Sequence, residues 1–266
     1  TLASAGFDGT VHLWNPATRK QLGVLTGHGD PVFSIAFSPD GDTLASSGDD
    51  GTVRLSNPAT RKRLGVLTDQ EGAVLGVAFS PDGKTLASAG HDGTVRLWNP
   101  ATGMQVARPT GHAGAVNAVA FSPDGKTLAG AGDDGTVRLW NPATGRLIAR
   151  LTGHTGAVNA VAFSPEGKTL VSAGHDGIVR LWNPTTGRLI ARFDGRTGAI
   201  NAVAFSSDGK TLVTAGDDKT IRVWNEILWR NFAELRATVC SVLLGDLGRL
   251  EWALYAGGIR YHRSCP

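Results

Sequence analysis

Three histidines hold most of the reactive potential of this sequence: His28, His112 and His154, lying 84 and 42 residues apart. Each is followed 22 residues later by an aspartate, Asp50, Asp134 and Asp176, and Ser46 and Ser172 fall in between. Imidazole, hydroxyl and carboxylate are the groups of a nucleophilic triad or of a metal centre. The even spacing argues against one shared metal, because each histidine is paired with its own segment. Calcium fits no better: the recurring Ser-Pro-Asp-Gly-Lys offers one carboxylate beside a lysine, and a hard cation takes roughly 6–8 oxygens. Arg54, Arg96, Arg138, Arg180 and Arg222 form a periodic ring. Such a ring could hold an anion, or cover apolar surface and pair with nearby acids. No Gly-x-Ser-x-Gly, Walker loop or Cys-His pairing is present. The expectation is a protein with no catalytic residue, no metal and no cofactor.

The elements that must position these groups follow from a period of 42 residues. Trp14, Trp98, Trp140, Trp182 and Trp224 fall on that lattice, and Ser56 occupies its one point without Trp. Residues 111–152 and 153–194 differ at nine of 42 positions, so each unit is one copy of one supersecondary structure. Within a unit, 158–163, 169–173, 178–182 and 188–193 are short β-favouring runs. Between runs lie Ser-Pro-Asp-Gly at 122–125, Asp-Asp-Gly at 133–135 and Asn-Pro-Ala-Thr-Gly at 141–145, the chemistry of tight turns. A lone four-stranded meander cannot cover both its faces, whereas radial stacking buries both. The expected fold class is therefore all-β, a β-propeller, with six units visible and the first lacking its innermost strand. Pro109, placed in the fourth strand of its unit, agrees with that strand being a sheet edge.

The 266 residues contain 36 Gly, 12 Pro and 18% charged residues, with a net charge of +3. No basic stripe marks a nucleic acid or membrane partner. Cys240 and Cys265 are too few and too local to frame a secreted domain. With no leader and no long apolar run, the expected compartment is the cytoplasm. The chain lacks an initiator Met, which suggests an excised fragment whose parent has six or seven blades. After Asn225 the repeat stops. Phe232–Leu244 and Arg249–Ala256 read as short helices, giving a propeller over 1–225 and a helical tail over 226–266.

Gly-His at 27–28, 111–112 and 153–154, followed by Ser-Pro-Asp-Gly, Asp-Gly and Leu-Trp-Asn, resembles the WD-repeat family over residues 1–225. One departure is uniform: the Asp after the Trp is Asn at 15, 57, 99, 141, 183 and 225. The resemblance implies a buried hydrogen-bonded tetrad in each blade, and the only complete set is His154, Ser172, Asp176 and Trp182. A buried group without its partner costs about 1–3 kcal/mol, so the 153–194 unit is expected to be the most rigid. The segment from Glu251-Trp252 through Tyr255, Gly258 and Tyr261 to Pro266 resembles the tail of actinobacterial WD-repeat proteins. In those relatives the propeller commonly belongs to a longer signalling protein.

The family resemblance also implies where function sits: on the rim carrying the second-to-third-strand turns and the fourth-to-first loops. There the residue before each turn aspartate is Phe7, Asp49, His91, Asp133, His175 and Asp217. Near the start of each innermost strand stand Phe33, Leu75, Asn117, Asn159 and Asn201. One arc is thus apolar and the other polar, and aromatic anchors suit an interface centre. His91 and His175 would make binding pH-sensitive. The expected function is a non-catalytic scaffold or sensing domain that binds a protein or peptide on this rim, its oligomeric state left open. The alternative is a glycan-binding or hydrolytic propeller using the central mouth.

Overall fold

The computed structural model describes residues 1–68, 71–194 and 198–225, all of it strands, turns and loops. Six antiparallel sheets follow one another along the chain. Blade 1 holds β1 (Leu2–Ala5), β2 (Val11–Asn15) and β3 (Lys20–Leu25). Blade 2 holds β4 (Val32–Phe37), β5 (Leu44–Gly48), β6 (Val53–Ser56) and β7 (Arg63–Leu67). Blade 3 has β8 (Val74–Phe79), β9 (Leu86–Gly90), β10 (Val95–Trp98) and β11 (Gln105–Ala107), and blade 4 has β12 (Val116–Phe121), β13 (Leu128–Gly132), β14 (Val137–Trp140) and β15 (Leu147–Leu151). Blade 5 is β16 (Val158–Phe163), β17 (Leu170–Gly174), β18 (Ile178–Trp182) and β19 (Leu189–Asp194), and blade 6 is β20 (Ile200–Phe205), β21 (Thr211–Gly216) and β22 (Ile221–Asn225). The protein is a six-bladed all-β propeller, with the three-stranded first sheet that the sequence implies. The helices read over 232–244 and 249–256 and the 226–266 tail lie outside the described residues.

Alternation along each strand sends one set of side chains to the preceding blade and the other to the next. The core is accordingly a series of inter-blade clusters. Ala129, Ala131, Val137, Leu139 and Leu151 of blade 4 pack on Val158, Val161, Leu170 and Trp182 of blade 5. The same arrangement joins blades 2 and 3 through Val53, Leu55, Leu86 and Trp98, and blades 3 and 4 through Val95, Leu97, Leu128 and Trp140. Full burial of each such Val or Leu contributes about 1.5–3 kcal/mol. Between blades 1 and 2 the cluster shrinks to Val11, Leu13, Val32 and Leu44, because Ser56 stands where the wedging Trp would be.

Two flanks lack a neighbour among the described residues. On blade 6, Ile221 and Val223 are 72% and 58% exposed, whereas their counterparts Val179 and Leu181 are fully buried. On blade 1, Leu2 is 56% exposed and its counterpart Leu44 only 1%. Pro109 corrects the sequence reading: it lies beyond β11, which ends at Ala107. Lacking an N–H, it cannot extend the ladder, yet its carbonyl still accepts from Val95 N at 3.2 Å.

Three described turns place a non-glycine residue in the left-handed region: Arg19 (φ 57°), Arg61 (φ 62°) and Lys219 (φ 59°). In the β-turn before β22, Lys219 stands where Gly177 of blade 5 has φ 67°, and a side chain in that region costs of order 1–3 kcal/mol. Lys219→Gly is expected to raise stability by about 0.5–1 kcal/mol after the added chain entropy of glycine. Urea unfolding monitored by Trp fluorescence checks this, and an unchanged or lower midpoint contradicts it.

Candidate functional site

In blade 5 the indole Nε1 of Trp182 donates to Ser172 Oγ at 2.8 Å. An indole N–H can only donate, so the serine oxygen accepts there and directs its own proton to His154 Nε2, 2.8 Å away. That leaves the imidazole proton on Nδ1, facing Asp176 Oδ1 at 2.9 Å. Arg180 closes the chain by donating to Asp176 Oδ2 and to the Gly153 carbonyl, both at 2.7 Å. The aspartate is held by β17–β18 turn geometry and the histidine by the loop entering β16, so the chain laces a blade to its own incoming loop.

The other blades hold partial versions. Blade 2 keeps His28 against Ser46 at 2.9 Å and Asp50 at 2.9 Å but has Ser56 for the indole. Blade 3 keeps Trp98 on Ser88 at 2.9 Å, and Arg96 reaches Asp92 at 2.7 Å; its Gln70 lies outside the described residues. Blade 4 has Gly130 for the serine. His112 Nε2 is then buried without a well-formed hydrogen bond among the described residues, and Trp140 turns to the Thr110 carbonyl at 3.3 Å. The indole has moved into the vacated space, since a Cβ on Gly130 would lie 2.6 Å from Trp140 Cζ3. Blade 1 shows the Trp14–Ser4 bond at 2.9 Å and blade 6 the Trp224–Thr214 bond at 3.2 Å; Arg196 lies outside the described residues.

Burial pulls His154 and His112 below the ordinary imidazole value and outweighs the aspartates that would raise them. Burial alone would raise Asp50, Asp92, Asp134 and Asp176. Hydrogen bonds from neighbouring Thr, His and Arg side chains outweigh it and hold all four below the usual carboxylate range. The periodic arginines are therefore committed to acids: Arg54, Arg96, Arg138, Arg180 and Arg222 each lie within 4 Å of the aspartate four residues earlier. Among the described residues, no three His, Cys, Asp or Glu converge to hold a metal ion.

The rim residues share a cause the sequence concealed. Each innermost strand shifts register at one residue, between Val32 and Ser34, Val74 and Gly76, Val116 and Ala118, Val158 and Ala160, and Ile200 and Ala202. Phe33, Leu75, Asn117, Asn159 and Asn201 are the bulged residues. A bulge re-aims its side chain, and here it serves two different ends. Asn117 donates to Asp133 at 2.8 Å and to the Val158 carbonyl of blade 5 at 3.1 Å. Asn159 donates to the Ile200 carbonyl and to Asn201, both at 3.1 Å, and Asn201 donates to Asp217 at 2.6 Å. The polar arc is stitched to itself. On the other arc, Phe33 is 41% exposed and meets Phe7, 85% exposed, edge to face at 6.4 Å. Leu75 is half-buried, and Asp49, His91 and His175 point outward.

At the opposite end a recess of about 300 Å³ lies between blades 3 and 4, lined by Ser80, Asp82, Phe121 and Asp124. Its carboxylates are occupied: Ser80 and Ser122 donate to Asp82 and Asp124 at 2.6 Å.

Two outcomes follow from the tetrads. Backbone amides of β16–β18 are expected to exchange hydrogen more slowly than those of β12–β14, whose His112 lacks its serine partner, and equal or reversed protection overturns the ranking. Acid sensitivity follows by linkage. The unfolded imidazole takes a proton as pH falls through 6.5, its ordinary value, while the folded one resists. Melting temperature is thus expected to be level above about pH 7, to fall below about pH 6.5, and to fall further below about pH 4 as the carboxylates protonate. Thermal melts across that range check it; a level profile down to about pH 4.5 contradicts it.

Comparison with known proteins places this architecture. The family model described as WDR90, 4th beta-propeller matches residues 74–201, and that described as WD domain, G-beta repeat matches 19–56 and 187–225. The WD40 repeat-containing protein HOS15 of Arabidopsis thaliana is 55% identical over 42 residues, which cover 16% of this chain and 7% of that protein. The F-box-like/WD repeat-containing protein TBL1X of Mus musculus is 55% identical over 40 residues, 15% of this chain and 8% of that one. The F-box-like/WD repeat-containing protein TBL1Y of Homo sapiens is 52% identical over 40 residues, 15% of this chain and 8% of that one. The matched stretches thus span less than a tenth of each relative. With the two family models together covering 19–56 and 74–225, and six blades built on one tryptophan lattice, the chain belongs to the WD-repeat family.

Proposed function

We propose that the chain is a non-catalytic interaction module that docks a protein or peptide on the apolar arc of its rim, at Phe7, Phe33 and Leu75. WD-repeat propellers serve in general as protein-interaction scaffolds. The observation that carries the reading for this chain is the contrast between two arcs made by the same bulge. The asparagine arc spends its amides on its own blades, while the facing arc leaves Phe7 largely and Phe33 partly in water. Exposed aromatic side chains on a rigid scaffold bury large area at little entropic cost, which is how interface anchors act. The aspartates of the opposite recess, Asp82 and Asp124, and those of the tetrads, such as Asp134 and Asp176, are held by serine, threonine, histidine or arginine partners. Functional residues concentrate on loops held by a stiff framework, and this rim is such a place.

The double substitution Phe33→Ser with Leu75→Ser is expected to lower partner capture by about tenfold or more. His175→Ser, on the facing arc, is expected to leave capture unchanged. Quantitative pull-down on the immobilised chain decides; undiminished capture by the double variant, with the fold retained, would falsify the docking site.

A further inference from the structure

The near-identity of the blades turns every departure into a local experiment, and several departures meet at one corner. In blades 4 and 6 the bulged asparagine caps the aspartate before the turn, Asn117 on Asp133 and Asn201 on Asp217. At the same register blade 2 carries Phe33 beside Asp49. A phenyl ring cannot donate, so the Asp49 carboxylate has no hydrogen-bonded or ionic partner among the described residues. The loop entering blade 2 departs as well. Asp30 stands where the other blades have Gly72, Gly114, Gly156 and Gly198.

These groups converge. The backbone N of Asp49 donates to the Pro31 carbonyl at 2.9 Å, and Val32 N donates to the Gly6 carbonyl at 3.1 Å. The Asp30 carbonyl lies 3.2 Å from where a Cβ on Gly9 would stand. The β1–β2 turn with Phe7, the loop with Asp30 and the β5–β6 turn with Asp49 therefore form one surface around Phe33. Asp8 on the same turn has its side chain 63% exposed; Thr10 donates to it from Oγ1 at 2.7 Å and from its backbone N at 3.0 Å, and His12 lies 4.0 Å away. Arg54 of the same blade is paired with Asp50 at 3.4 Å. Two perpendicular rings, one largely and one partly exposed, thus stand beside Asp49 and Asp30, which have no cationic partner among the described residues, in a chain whose net charge is positive.

We propose that this corner receives an arginine side chain of the docked partner, its guanidinium stacked on an exposed face of the Phe7–Phe33 pair and forked onto Asp49, with Asp30 adding charge. Arginine suits the corner better than lysine because its planar, weakly hydrated cation both stacks on a ring and pairs two-fold with a carboxylate. The assignment rests on the docking reading above and deepens it by naming the chemistry of the partner: a basic segment, with arginine next to an apolar residue.

Selection of twelve-residue peptides from a random display library on the full chain tests it. The expected product is a set of peptides sharing an arginine beside an apolar residue. Their affinity is expected to fall about tenfold or more when that arginine becomes norleucine, when Asp49→Asn is introduced, and when Phe33→Asn is introduced, and to weaken as salt rises. Phe33→Asn installs the side chain that blades 4 to 6 already carry at this register, so folding is retained, and circular dichroism verifies it. If that variant misfolds, the Asp49→Asn and norleucine arms decide. Peptides that depend on Phe33 but on neither Asp49 nor a cation overturn the arginine assignment while leaving the apolar docking arc standing. Peptides indifferent to Phe33 overturn both, and a selection without binders overturns the arginine assignment.

Discussion

No blade of this protein can stand alone, because a four-stranded sheet has two apolar faces and a single layer shields neither. Everything else is arranged around that constraint. The third strand of each blade offers Val and Leu to the next, which answers with Leu and Trp, and the exchange repeats from Val11 and Leu13 to Leu181 and Ile200. The indole sets the level at which sheets meet. Where Ser56 replaces it, the junction of blades 1 and 2 retains the aliphatic part and loses the wedge. That junction lies directly beneath the exposed pair Phe7 and Phe33, so the thinnest part of the core carries the surface best suited to docking.

The polar chains play a subordinate role that differs from blade to blade. In blade 5 the run from Trp182 through Ser172 and His154 is directional, each group donating to the next, and it ends on Asp176, which also accepts from Arg180. Low local dielectric strengthens such a run when complete and penalises it when broken. Blade 4 shows the broken form: with Gly130 in place, the ring of Trp140 fills the hole and the imidazole of His112 loses its serine partner. The apolar cluster around Trp140 remains closed. Packing therefore tolerates what hydrogen bonding does not.

Much of the architecture was legible in the sequence because a repeat multiplies weak signals. One Asp-Gly turn means little, but the same turn at every 42 residues, with Trp five to seven positions on, defines blades and strand order. The rim residues could also be located, as the positions where near-copies differ. What could not be read was why Phe33 and Asn117 share a direction: a bulge leaves no mark in hydrophobic alternation, and it is the bulge that aims both. Nor could the sequence separate the two fates of that position, since only geometry reveals that Asn117 and Asn201 are spent on neighbouring acids while Phe33 strands Asp49. Pro109 misled in a smaller way, because an edge strand tolerates proline but here simply stops before it.

Since each sheet touches only the one before and the one after, cooperativity in this molecule is passed hand to hand, as in any linear array of coupled units. Among the described residues, the blades at the two ends of the array, with Leu2 on one side and Ile221 and Val223 on the other, are each clasped from one side alone. Loss of order therefore enters at the extremities and travels inward, and the blades clasped on both sides, 2 to 5, are the last to let go.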